Sequence, residues 1–336
     1  MNRIKVLPLL LLLSFAACKK DNIIPKTKPG LSGVFVSGTM YNTAVYWQDT
    51  TLHKLPMLLG SSSNAKAILV SGSDLYVAGN DGNFAVIWKN GQEVKLNGGG
   101  MACGIALAGK DLYAAGTDNA MPVYWKNGIE SGLPLSDGFT FAYTYSIAVS
   151  GSDVYVAGTQ YNSMGGIGTL WKNGVPSLLS DSDTPSGAVS VVVSNGNVYV
   201  AGDIAYQSGT KRYGCAAYWK NGQLNQLSTV PSYANSIFVS GADVYVCGRD
   251  SNSNALWNTV WKNGTPTYLA VAGDMPATSV FVKDGAVYCT GAVSAGLSNI
   301  KIAWWKNAQV TYLSDEFQND PYIGHIDGAT SGIWVQ

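Results

Sequence analysis

Few side chains in this 336-residue chain are suited to covalent chemistry. It has two histidines, His53 and His325, and neither stands in a nucleophile motif. Carboxylates are better represented between apolar runs, at Asp81, Asp118, Asp137, Asp181, Asp183, Asp203, Asp250, Asp274, Asp315, Glu316 and Asp320. Two of them at a suitable separation would suffice for acid–base cleavage of a glycosidic bond. Asp181-Ser182-Asp183 lacks the remaining ligands and the glycine of a calcium loop, so no metal or cofactor is expected. A second chemistry is recognition. Tyr161, Tyr206, Arg212, Tyr213, Arg249, Asp250 and Trp257 cluster in the variable stretches of the later half. Rings beside polar groups suit a sugar face or a protein hot spot, which makes these seven the candidate ligand-binding residues.

The elements that must position them follow from repetition. A phrase whose fullest form is Tyr-Trp-Lys-Asn-Gly recurs with its tryptophan at Trp47, Trp88, Trp125, Trp171, Trp219, Trp261 and Trp305. This is a ~43-residue repeat, in the range of a propeller blade or solenoid unit. A second phrase, Ser71-Gly-Ser-Asp-Leu-Tyr-Val-Ala-Gly79 and its copies, alternates with it. The apolar run before that phrase reads as strand a and its Leu/Val-Tyr-Val as strand b; the stretch ending in Tyr-Trp is strand c. Asn-Gly is the strongest short hairpin signal, because a type I′ turn needs positive φ at both central residues. Eight residues past each tryptophan stands a leucine, expected on strand d: Leu55, Leu96, Leu133, Leu179, Leu227, Leu269 and Leu313. Strands a to c are apolar at nearly every position, as a sheet buried on both faces requires. The fold expected is all-β: a seven-bladed β-propeller of four-stranded antiparallel blades spanning residues 31–336.

The Val-Tyr-Val-Ala-Gly phrase resembles bacterial secreted seven-bladed β-propeller repeats. Tryptophan at the end of the third strand is similar to the Trp-Asp repeat proteins, here with lysine in place of aspartate and without their Gly-His pair. What this implies is the fold alone. Closure joins the chain ends in one blade: the N-terminal unit supplies strands b, c and d, the stretch from Gly324 to Trp334 aligns with a and b, and either end could fill position b.

Residues 1–17 read as a signal peptide, with Arg3 and Lys5 before an apolar core and Ser-Phe-Ala-Ala before Cys18. That stretch resembles a bacterial lipobox, which implies acylation of Cys18; Cys-Lys-Lys-Asp resembles Bacteroidota-type lipoproteins. Residues 18–30 are a polar, proline-containing tether. The address expected is the bacterial outer membrane, periplasmic side or cell surface, with the lipid as the membrane contact. Zero formal charge with 12% charged residues offers no basic field for nucleic acid. The turn lysines Lys89, Lys126, Lys172, Lys220, Lys262 and Lys306 read as solvated turn residues. Cys103, Cys215, Cys247 and Cys289 read as unpaired thiols, with Cys247 and Cys289 in blades too far apart to bridge. The functional expectation is a monomeric, non-catalytic binding module for an envelope protein. The alternatives are a glycan-capturing propeller and a glycoside hydrolase or lyase.

Overall fold

The computed structural model describes residues 30–208, 211–252, 255–269, 276–294, 300–313 and 330–336; the signal, Cys18, most of the tether and His325 lie outside them. The described strands form seven four-stranded antiparallel sheets, each one blade. Blades 2 to 7 take their strands a to d in chain order. Blade 2, for example, is Ser63–Ser71, Asp74–Asp81, Phe84–Lys89 and Gln92–Lys95. Blade 1 is shared between the ends: Thr330–Val335 is strand a, and Val34–Met40, Thr43–Gln48 and Thr51–Lys54 are b, c and d. The C-terminus therefore fills position a and the N-terminus position b. Val34 pairs with Val335 and Val36 with Ile333.

The tryptophans and leucines meet between blades. Each leucine stands one residue beyond strand d rather than on it, and packs in the cluster of the next blade's tryptophan: Leu55 with Trp88, Leu96 with Trp125, Leu269 with Trp305, and, across the chain ends, Leu313 with Trp47. All seven tryptophans are at most 1% exposed. Three of them also donate Nε1–H to the carbonyl just after the partner leucine: Trp88 to Pro56 at 2.9 Å, Trp125 to Asn97 at 2.7 Å and Trp171 to Pro134 at 2.8 Å. Nearer the axis a series of serines links successive inner strands. Ser146 Oγ accepts from Val191 N, Ser190 from Ile237, Ser236 from Val280 and Ser279 from Ile333, the last reaching the C-terminal strand.

Asn90-Gly91 and its copies have positive φ at both positions, as a type I′ turn demands. The adjoining lysines are held rather than free in solvent. Lys89, Lys126, Lys172 and Lys262 reach back to Asp74, Asp111, Asp153 and Asp243 at 2.8–3.1 Å, each over the strand-b tyrosine ring, while the turn asparagine bonds the same aspartate. These contacts hold all four carboxyls below their usual range. The tie is local, clamping strands b and c of one blade.

The cysteines sit inside strands rather than at their ends: Cys103 on a of blade 3, Cys215 on c of blade 5, and Cys247 and Cys289 on b of blades 6 and 7. All four are free thiols. Cys247 and Cys289 nevertheless touch across the blade interface, in one packed cluster; burial first, then the Cys289 thiol, pushes Cys247 well up. The two blades therefore come closer at this point than the mean spacing of stacked sheets.

Blade 7 breaks the turn rule. Ala308 holds φ 67° where the turns between strands c and d of blades 2 to 6 have glycine. An L-residue in the left-handed region costs about 1–2 kcal/mol, part of which glycine returns as unfolded-state entropy. Ala308→Gly should therefore raise stability by about 1 kcal/mol in a urea titration.

Candidate functional site

On the face opposite the Asn-Gly turns, the later blades rise above the disc as extended hairpins. Strand b has 8 residues in blades 2 and 3 but 10 in blade 4 (Asp153–Asn162), 12 in blade 5 (Asn197–Ser208) and 10 in blade 6 (Asp243–Asn252). Stretches expected to be loops are thus strands: Tyr161, Tyr206, Arg212, Tyr213, Arg249, Asp250 and Trp257 all lie in ladder positions. The reason is the glycine that seemed to end strand b. Gly79, Gly116, Gly158, Gly202 and Gly248 sit mid-strand, where a Cβ would strike a carbonyl of strand a. They are spacers, and the strand continues past them.

Two residues beyond this glycine, side chains anchor the preceding connection. Asp81 accepts from the N–H groups of Leu58, Leu59 and Gly60 at 2.6–3.0 Å. Gln160 binds Ser136 N and Oγ. Asp250 follows suit: it is 5% exposed and accepts from Ser228 Oγ at 2.9 Å and Tyr268 OH at 3.4 Å. Burial pushes its carboxyl up, and those two hydroxyls pull it back. Trp257 packs on the same Tyr268, ring centroids 6.0 Å apart. Asp250 and Trp257 therefore brace blade 6, and neither is among the residues lining the cavity beside it.

A cavity of about 630 Å³ opens on this face among blades 4, 5 and 6. Blade 4 contributes Tyr145, Thr159, Tyr161, Gly165 and Gly166; blade 5 contributes Ser186, Gly187, Val189, Asp203, Tyr213 and Gly214; blade 6 contributes Tyr233. Tyr145 and Val189 are the extra residues of β-bulges in strands Phe141–Ser150 and Ser186–Ser194, so the bulge aims them differently from their neighbours. Tyr161 is fixed by Phe141 stacked at 4.8 Å and Tyr143 edge-on at 5.9 Å. Burial, reinforced by the Tyr161 hydroxyl, raises the Tyr145 phenol. Tyr213 donates its hydroxyl to Thr229 O at 3.0 Å.

Of the sequence-predicted set, Tyr161 and Tyr213 line the cavity. Tyr206 lies against Tyr213 at 5.7 Å and Arg249 over the ring of Tyr233 at 5.4 Å, each one shell back. Arg212 pairs with Gln207 in the blade 5 hairpin, and its side chain lies outside the described residues. In the sequence Asp203 is one of eleven carboxylates between apolar runs, and nothing there singles out Tyr145 or Thr159.

Asp203 stands one residue past the spacer glycine, so it points away from the anchoring direction used by Asp81 and Asp250. It is half-buried, and its carboxyl makes no hydrogen bond or ion pair with any described residue. Burial alone raises its carboxyl above the ordinary value. Among the described residues lining the cavity it is the single carboxylate. No group of three His, Cys, Asp or Glu able to hold a metal occurs among the described residues. His53 is remote, stacked on Tyr46 at 4.6 Å on the outer strand of blade 1.

The raised Asp203 carboxyl carries a stability cost of definite sign. The folded chain binds the proton more tightly than the unfolded one, so stability falls as pH rises from the unfolded value, near 3.9, through the folded value. Asp203→Asn should therefore melt higher than the parent at pH 7. The difference should vanish below about pH 4.

No protein-family model and no curated protein matches the chain. Solved structures do. The β-propeller domain of the Trilobed protease from Pyrococcus furiosus aligns with a TM-score of 0.52 at 13% identity, covering 89% of this chain and 97% of that one. The acylaminoacyl peptidase of Pyrococcus horikoshii aligns at 0.48 and 12%, covering 83% of this chain and 52% of its own. The first of these is described as an open velcro topology, whereas here the end strands pair from Val34 to Gly38. At such identities the likeness is one of fold: the chain is a seven-bladed β-propeller.

Proposed function

We propose that this propeller is a non-catalytic binding module, exported and anchored through lipid on Cys18 at the bacterial outer membrane, and that its ligand is a glycan seated in the cavity of blades 4 to 6. The cavity carries the reading. Its volume lies within the range of small-ligand sites, and its wall mixes tyrosines with Thr159, Ser186 and Asp203. Rings offer flat apolar faces to a sugar, and a few convergent polar groups set its orientation. The glycan reading is therefore preferred to capture of an envelope protein by a broad loop surface, because the aromatic groups converge in a concavity. Against the hydrolase alternative, Asp203 faces no second carboxylate among the described residues of the cavity, and glycoside hydrolysis generally uses a pair.

Titration calorimetry of the purified protein against a glycan panel tests the assignment. Tyr161→Ala and Tyr145→Ala should each weaken a bound glycan by at least about 1 kcal/mol, roughly five-fold in Kd. Trp257→Ala should leave affinity unchanged. The reverse pattern would move the site to the flank of blade 6. Palmitate labelling of cells should be lost in Cys18→Ala if the anchor is as proposed.

A further inference from the structure

The surroundings of Asp203 narrow the ligand class, on the assumption that the cavity is the glycan site. Three glycines in its wall, Gly166, Gly187 and Gly214, have no positive φ, so no turn demands them. What they permit is close approach. A Cβ at Gly214 would lie 3.3 Å from Asp203 Oδ2 and 3.1 Å from Tyr233 Cε1; one at Gly187 would lie 2.9 Å from Asp203 Oδ1; one at Gly166 would lie 2.9 Å from Tyr161 Cε1. The bare backbone lets the Asp203 carboxylate and the wall tyrosines lie close against it, where any side chain would crowd them.

A carboxylate drawn out of water with no partner is unfavourable unless a ligand supplies the missing counter-charge and donors. Every other described aspartate that is buried or half-buried is already engaged, by turn lysines and asparagines in Asp74 and its copies, by connection N–H groups in Asp81, by Asn119 in Asp118, and by Ser228 and Tyr268 in Asp250. Asp203 alone is left for an incoming group. A hard divalent ion would want six or more oxygens, and one carboxylate among tyrosines does not offer them. An ammonium fits both features: it pairs with the carboxylate through charge-assisted hydrogen bonds, and it is attracted to tyrosine ring faces. The cavity is also far roomier than a lone amine needs. We propose that the cavity recognises an amino sugar carrying a free ammonium, with that group paired to the Asp203 carboxylate among the wall tyrosines.

The test is calorimetry on the full chain with a de-N-acetylated chito-oligosaccharide and its fully N-acetylated counterpart, which keeps the rings and removes the charge. The parent should prefer the charged oligosaccharide at least ten-fold at pH 6. In Asp203→Asn that preference should collapse toward unity. Gly214→Ala, which crowds Asp203 Oδ2 and Tyr233 Cε1 without altering charge, should also reduce it, and circular dichroism and melting confirm that both variants fold. Equal affinity of the parent for the two oligosaccharides overturns the ammonium assignment while leaving the glycan site standing. Binding of neither overturns both for this sugar backbone. Asp203-dependent binding of a lysine-rich peptide, with neither oligosaccharide bound, would overturn the amino-sugar class in favour of a peptide amine.

Discussion

The contact between each tryptophan and the leucine of the preceding blade is what makes seven small sheets one protein. A four-stranded sheet of this size buries too little alone, and both its faces must be covered. Each fully buried tryptophan removes on the order of 200 Å² from water, roughly 5 kcal/mol of transfer free energy before any entropy is charged. That gain belongs to the interface, because the ring rests on a leucine supplied by the neighbour. Applied seven times, the same contact meets itself: Leu313 reaches Trp47, and the two ends of the chain become one blade.

The rest of the architecture depends on this repetition being strict on one face and relaxed on the other. The Asn-Gly turns, with their lysine and aspartate, fix where strand c ends and strand d begins, and strand d has four residues in every blade. The opposite ends of b and c are free to lengthen, because nothing in the tryptophan–leucine contact depends on how far they continue. Blades 4, 5 and 6 use that freedom, and their hairpins wall a cavity that a uniform propeller would lack. Along strand b the positions divide their work. The glycine makes room for strand a, the residue after it lines the cavity at Thr159 and Asp203, and the next one ties down the preceding connection in blades 2, 4 and 6.

Most of the fold was legible because its signals are periodic and local. Tryptophan, leucine and Asn-Gly recur in register, and each has one physical meaning. What misled was also local: Gly158, Gly202 and Gly248 look like strand ends, since glycine usually weakens a strand, yet here they relieve contact with a neighbouring carbonyl. The site was less legible. Asp203, Asp81 and Asp250 differ only in standing one or two residues past that glycine, and a shift of one residue along a strand reverses the side a group faces. That offset was visible in the sequence, but its consequence was not without the strand. The cavity itself is formed by glycines from two blades and tyrosines from three, a conjunction that no single repeat records.

The account rests most heavily on the tryptophan–leucine contact closing the ring, and a double-mutant cycle measures that directly. Trp47→Phe and Leu313→Ala, alone and combined, would be compared by urea unfolding with the interior pair Trp125→Phe and Leu96→Ala. If the ends are joined as described, both cycles give coupling of the same sign within about 0.5–3 kcal/mol. Additive effects for Trp47 and Leu313, alongside clear coupling for the interior pair, would mean that the ring stands open in solution.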